Sequence, residues 1–162
     1  LYAMKTAHDN GRLVSFDVNY RDTLWESEAA CKEVADQVYD YVDFLKISEE
    51  ELYFVGGEEN IPNFMKEHGI SVVIETLGAD GAKYFFNGHS EHVPGHKVHA
   101  VDATGAGDAF FAGVAIGMTY GKELKEAVEI GTRLAASVII TTDNVCPRFL
   151  PKELGLDIEV EE

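Results

Sequence analysis

The residues best suited to chemistry lie in Asp102-Ala-Thr-Gly-Ala-Gly-Asp-Ala-Phe-Phe-Ala-Gly113, where two glycines and a small residue precede an aspartate and an apolar run. Small side chains at Gly105, Ala106 and Gly107 let backbone N–H groups approach an anion, and the start of a helix adds the positive end of its dipole. A carboxylate beside such a pocket is out of place if the anion is a resting one. It fits if negative charge develops during a reaction. Asp108 can then take a proton from an attacking hydroxyl while the N–H groups stabilise the transferring group, as phosphoryl transfer requires. Phe110 occupies the place of the third glycine of a dinucleotide fingerprint, and no Gly-Lys-Ser/Thr of a P-loop follows. On spacing alone, a plain glycine turn with Asp108 as a helix-start residue serves equally well.

Three further groups carry polar chemistry. Asp17, Asn19 and Arg21 alternate at the end of the apolar run Leu13–Asp17, so they can share one face above a sheet. The planar guanidinium of Arg21 suits an oxyanion such as a phosphate or a sugar acid; a solvated arginine is the plain alternative. Lys46 ends the next apolar run and reads either as a phosphate contact or as a solvated lysine. Ser48-Glu-Glu-Glu51 has the spacing of a capping box.

The elements that must position these residues alternate between strand and helix. Leu1–His8 reads as the end of an amphipathic helix closed by Asp9-Asn-Gly11, as if the chain started within a fold. Strands are expected at 13–17, 42–47, 71–76 and 82–86. A return strand near His92 and Val93 follows Asn87-Gly88, a hairpin signal. Helices are expected over 26–41, 61–68, 106–120 and 124–139, with another starting at Ser48. This order predicts a layered α/β fold with a mainly parallel sheet, in a single domain spanning 1–162. The acidic stretch Asp157–Glu162 is expected to fray.

With 29 acidic and 13 basic residues, the formal charge of −16 argues against nucleic-acid partners and against an anionic membrane surface. No apolar run reaches the ~20 residues of a membrane span. Cys31 and Cys146 read as reduced thiols of a cytoplasmic protein. The six histidines form no metal constellation.

The segment 102–113 closely resembles the C-terminal signature of the PfkB-type, ribokinase-like carbohydrate kinases. Asp17-Val-Asn-Tyr-Arg21 with Leu24-Trp25 is similar to a segment of fructokinases and 2-keto-3-deoxygluconate kinases. Lys46-Ile-Ser-Glu-Glu-Glu51 resembles the family's Asn/Ser-x-x-Glu motif, and Thr76-Leu-Gly-Ala-Asp-Gly81 its nucleotide-side turn. The four segments follow the family's order.

The resemblance implies a ribokinase-like three-layer α/β/α sandwich and ATP-dependent phosphorylation of a sugar, fructose first and 2-keto-3-deoxygluconate next. It implies Asp108 as catalytic base and Gly105, Ala106 and Gly107 as the anion hole. Thr76, Gly78 and Gly81, with Lys46 and Ser48, would stand on the nucleotide side; Asp17, Asn19 and Arg21 would meet substrate or phosphate. Glu51 would act on Mg2+ through its waters, a role weighed above capping. Asp102 and Thr104 would help hold a monovalent cation such as K+. The later segment Thr142-Asp-Asn-Val-Cys-Pro147 departs from the family's usual Thr-Arg-Pro-Gly-Ala, which counts against the cation site and part of the adenine pocket. The first family signature and the β-sheet lid have no match, so a truncated chain with an open sheet edge and a tendency to dimerise is expected. A noncatalytic nucleotide-binding regulatory module is the alternative of another class.

Overall fold

A computed structural model describes residues 1–143, 146–147 and 149–156. The expected acidic tail 157–162 and part of the 142–147 departure lie outside the described residues. The chain forms two compact units, one of Leu1–Leu77 with Lys83–His92, the other of Gly78–Ala82 with the chain from Val93 onward.

The first unit begins with α1 (Tyr2–Asp9) and β1 (Ser15–Asp17). Helix α2 (Glu28–Ala35) starts two residues later than the sequence spacing suggests, because the Ser27 hydroxyl accepts the Ala30 N–H at 3.1 Å and sets the N-cap there. It also ends before Tyr41. The chain beyond Ala35 tightens into i→i+3 turns, with Val38 N–H donating to Ala35 at 3.0 Å and Tyr41 N–H to Val38 at 2.9 Å. Next come β2 (Phe44–Ser48), a 3-10 segment over Glu49–Val55, α3 (Ile61–His68) and β3 (Val72–Thr76). The Ser48 signal thus opens a 3-10 segment, not an α-helix, and Gly56 ends it with φ 80°.

Strands β4 (Ala82–Phe86) and β5 (His89–Val93) flank Asn87-Gly88. A two-residue connection joins only antiparallel strands. The sheet order is β1-β2-β3-β4-β5, with β1–β2 and β2–β3 parallel, so the sheet is mixed and the class is α/β. Leu13, expected within β1, is instead 89% exposed just before it. Tyr39, Leu45, Ile47, Phe54, Ile61 and Val73 are fully buried and form the centre of the core. Each large side chain of this kind contributes about 1.5–3 kcal/mol on burial. Glu75 is the exception on the buried side of β3. It is 2% exposed, and its Oε2 has no hydrogen-bond partner among the described residues. Burial pushes its carboxyl up from the ordinary value; Glu58 and Glu49 add to this and Lys83 opposes it.

The second unit is built on α4 (Ala106–Thr119) and α5 (Leu124–Ile139). They pack at backbone distance. A Cβ on Gly113 would stand 2.8 Å from the Gly131 Cα, and one on Gly117 would stand 2.8 Å from the Ala127 Cα. No helix among the described residues is long and apolar enough to cross a membrane.

Candidate active site

The candidate residues fall into two groups, one in each unit. In the first, parallel pairing puts Asp17 of β1 beside Lys46 of β2. The Lys46 ammonium lies 3.1 Å from both carboxylate oxygens of Asp17, and Lys46 is only 6% exposed. Burial raises the Asp17 carboxyl above its usual range; the Lys46 charge and hydrogen bond pull the other way, and Glu51 adds a smaller upward push. Lys46 is therefore not a solvated lysine; two of its three N–H donors are spent on Asp17.

Beyond β1 the chain turns sharply. Asn19 takes φ 47°, in the left-handed region that asparagine tolerates, and its N–H donates to Asp17 Oδ1 at 3.2 Å. Tyr20 N–H donates to Glu51 Oε1 at 2.6 Å. The other oxygen, Oε2, accepts the Ser48 N–H at 2.8 Å, the reciprocal bond of a capping box. Glu51 is 4% exposed. The capping role, weighed below the metal role on sequence alone, is thus realised, and each Glu51 oxygen keeps a second acceptor site beside its amide bond. Arg21 is exposed, and its Nη1 donates to its own neighbour's carbonyl, Tyr20 O, at 2.9 Å. Thr76, paired with Ser48 in register, donates its hydroxyl to Ile47 O at 3.4 Å.

In the second unit, Gly105 is the N-cap of α4 with φ 79°, a conformation that side chains strain against. Asp108 sits in the first turn and is exposed, with no hydrogen bond or ion pair among the described residues. The Ala106 N–H donates back to Ala103 O at 3.2 Å. The free amides at this helix start are therefore those of Gly105, Gly107 and Asp108, among the described residues. Asp102 Oδ1 accepts the Thr104 N–H at 2.8 Å, and this bond holds the Asp102 carboxyl below its ordinary value. Val101 N–H donates to Ile139 O at 2.7 Å, tying the loop ahead of α4 to the end of α5. Gly78 is open, with φ 55°, while Gly81 is closed in: a Cβ there would lie 2.1 Å from Val93 O. Gly81 is thus required by chain packing as well as by its φ of 100°. Among the described residues no three His, Cys, Asp or Glu side chains group to hold a metal.

Sequence reasoning missed the Asp17–Lys46 pair and the Tyr20 amide. The first was accessible through strand register; the second has no sequence signal, because the contact is made by backbone 31 residues from Glu51.

The first unit is thus an α/β layer with polar residues at the ends of its parallel strands, and the second opens a helix with free amides beside an aspartate. The chain belongs to the pfkB family of carbohydrate kinases, whose pattern matches residues 1–147. It is 33% identical over 147 residues to a fructokinase from Escherichia coli, covering 85% of this chain and 48% of that protein. A double mutant of a fructokinase from Vibrio cholerae O395, solved with fructose, ADP and potassium ion, superposes with a TM-score of 0.79 at 27% identity. The match covers 87% of this chain and 48% of that one. A chain from Escherichia coli solved with ATP and Mg2+ gives a TM-score of 0.76 at 28% identity, over 85% and 45%. The chain spans about half the length of the curated relatives it matches.

Proposed function

We propose that this chain carries the phosphoryl-transfer half of a sugar kinase site, moving the γ-phosphoryl of ATP to a sugar hydroxyl. Fructose is the first acceptor and 2-keto-3-deoxygluconate the second. One observation carries the reading: Asp108 stands exposed in the first turn of α4, beside the unspent amides of Gly105, Gly107 and its own N–H. The carboxylate accepts the proton of the attacking hydroxyl, and the amides meet the charge on the transferring group. The likeness to a fructokinase solved with fructose, ADP and potassium supports both the substrate class and the nucleotide. Mg2+, when bound with the triphosphate, supplies charge compensation. Glu51 would act on its waters, through the acceptor sites its two amide bonds leave open. Asp102 keeps Oδ2 for a monovalent cation such as K+, while its Oδ1 closes the turn to Thr104. Thr76 and Gly78 form the proposed nucleotide side, and Asn19 and Arg21 the proposed substrate or phosphate side.

The test is ADP release in the presence of ATP and Mg2+ with fructose, 2-keto-3-deoxygluconate or ribose. It uses this chain alone and as part of the complete product of its gene. Asp108→Asn is expected to lower the rate by about 10²–10⁴ with unchanged nucleotide binding. Equal turnover by the parent and Asp108→Asn would remove the base from the mechanism.

A further inference from the structure

We infer that Lys83 is the moving part of a proton-operated latch: it holds Glu58 while Glu75 carries a proton and turns to Glu75 when that proton leaves. Glu75 is a buried carboxyl that the phosphoryl-transfer site does not use, and its Oε2 has no hydrogen-bond partner among the described residues. Alternation along β3 puts Glu75 on the side of Val73, and alternation along β4 puts Lys83 on the side of Phe85. Val73 and Phe85 belong to one buried cluster, so Glu75 and Lys83 share a face. The two strands are neighbours joined by residues 77–81, a connection too short for a parallel pair. Glu75 lies just before the last residue of β3 and Lys83 just after the first of β4, which makes them cross-strand neighbours. The ammonium is nevertheless spent on Glu58, whose Oε1 accepts from Lys83 Nζ. The Glu58 side chain is 45% exposed, while Lys83 Nζ lies 5.2 Å from the centre of the Phe85 ring, at the edge of the core.

A lysine between two carboxylates goes to the one that loses more without it. Exposed Glu58 loses little, because water replaces the ammonium. A buried carboxylate left unpaired costs far more. Below its midpoint Glu75 avoids that cost by keeping a proton, and no charge draws Lys83 inward. Burial extends this protonated range upward; Glu58, and Glu49 of the Glu49–Val55 segment, extend it further, and Lys83 opposes them. Once the proton passes to water, the charges facing Glu75 are Glu58, Glu49 and the Lys83 ammonium, and only the ammonium attracts it. The transfer exchanges one hydrogen bond for another and leaves Glu58 solvated. What it frees is a short turn. Glu58–Asn60 follows Gly56 and Gly57, whose φ of 80° and 94° suit glycine alone. The bond from Glu58 to Lys83 ties that turn to β4, 25 residues along the chain. On the acid side the turn is held to β4, and on the alkaline side it is released from it. Nothing in the latch depends on Asp108 or on the acceptor sugar.

The experiment is an NMR titration of the full chain that follows the side-chain carboxyl carbons of Glu58 and Glu75 together with the Lys83 ammonium. In the parent, Glu58 is expected to respond a second time at the pH where Glu75 ionises, as its lysine leaves, and the Lys83 ammonium should change partner at that same pH. Lys83→Met should lower the ionisation constant of Glu75 about tenfold and abolish the second response of Glu58. Glu58→Gln leaves the lysine to Glu75 and should raise that constant about tenfold. Glu49→Gln removes a carboxylate from the same surroundings without freeing a lysine, so its effect should be clearly smaller. Equal effects of Glu58→Gln and Glu49→Gln would leave only repulsion between carboxylates and overturn the latch. So would a Lys83 that stays on Glu58 after Glu75 has ionised. Should a variant not fold, the partner of Lys83 in the parent on either side of the Glu75 midpoint decides alone. None of these outcomes bears on the Asp108→Asn assay, so either idea can fail without the other.

Discussion

Gly113→Ala is the substitution for which helix propensity and packing predict opposite signs. Propensity alone favours alanine over glycine inside a helix by about 1 kcal/mol. The structure opposes this. The new Cβ would lie 2.8 Å from the Gly131 Cα, 3.0 Å from its N and 3.1 Å from Leu134 Cδ1, where ordinary contact begins at 3.4 Å. Two of these atoms are backbone and cannot rotate away. Helix α5 must retreat by about 0.6 Å, the difference between 3.4 and 2.8 Å, and so loosen the contacts around Phe110 and Val114. Overpacking of this kind costs about 1–3 kcal/mol, which outweighs the propensity gain and leaves a net loss of roughly 1 kcal/mol. With a urea slope of about 2 kcal/mol per molar, the unfolding midpoint followed by circular dichroism falls by about 0.5 M. Ala112→Gly, on the exposed side of α4, supplies the reference: it changes propensity without touching α5. A midpoint that rises in Gly113→Ala would refute backbone contact between the helices. Gly131→Ala should lose stability too, and less than additively in the double variant, because the two positions share one contact.

Three other outcomes are expected. The folded chain holds a proton on Glu75 to higher pH than the unfolded chain does, so stability falls as pH rises above the ordinary glutamate value of 4.5. Glu75→Gln should therefore raise the urea midpoint at pH 7, with the gain closing as pH approaches 4.5; a gain independent of pH would contradict this. Lys46→Met leaves the half-buried Asp17 carboxylate without its partner, and should cost about 3 kcal/mol at neutral pH, read from the same urea curves. Ser27→Ala removes the cap of α2 and should cost about 1 kcal/mol, with the loss of helix visible by circular dichroism.

The sequence showed the fold wherever one local rule governed an element. The helix 61–68 and the helix 124–139 appear with the bounds their periodicity suggests, because their apolar spacing and end signals agree. Misplaced ends had competing signals. The apolar run 13–17 contains Leu13, yet the strand starts only at Ser15, where pairing with Phe44 begins. The helix expected to run to Tyr41 stops at Ala35 and tightens. In the candidate site, Asp108 and the small residues before it were legible because a helix start is a local device. Asp17 and Lys46 were visible as residue types, and Glu51 with its capping partner Ser48, but the Asp17–Lys46 pair and the Tyr20 amide on Glu51 were not. Those partners are set by strand register and by a backbone amide, and neither leaves a mark in side-chain spacing.

The order β1-β2-β3-β4-β5 across the sheet repeats the order of the chain. During synthesis, each new strand therefore finds its neighbour already made, and no strand waits for a later one to be inserted between existing partners. The parallel pairs still join residues far apart in the chain, such as Ser15 with Phe44 and Phe44 with Val72, so they close more slowly than the hairpin of β4 and β5. The Asp17–Lys46 pair closes only when β1 and β2 have a packed face to hold them, since two strands alone are not stable in water.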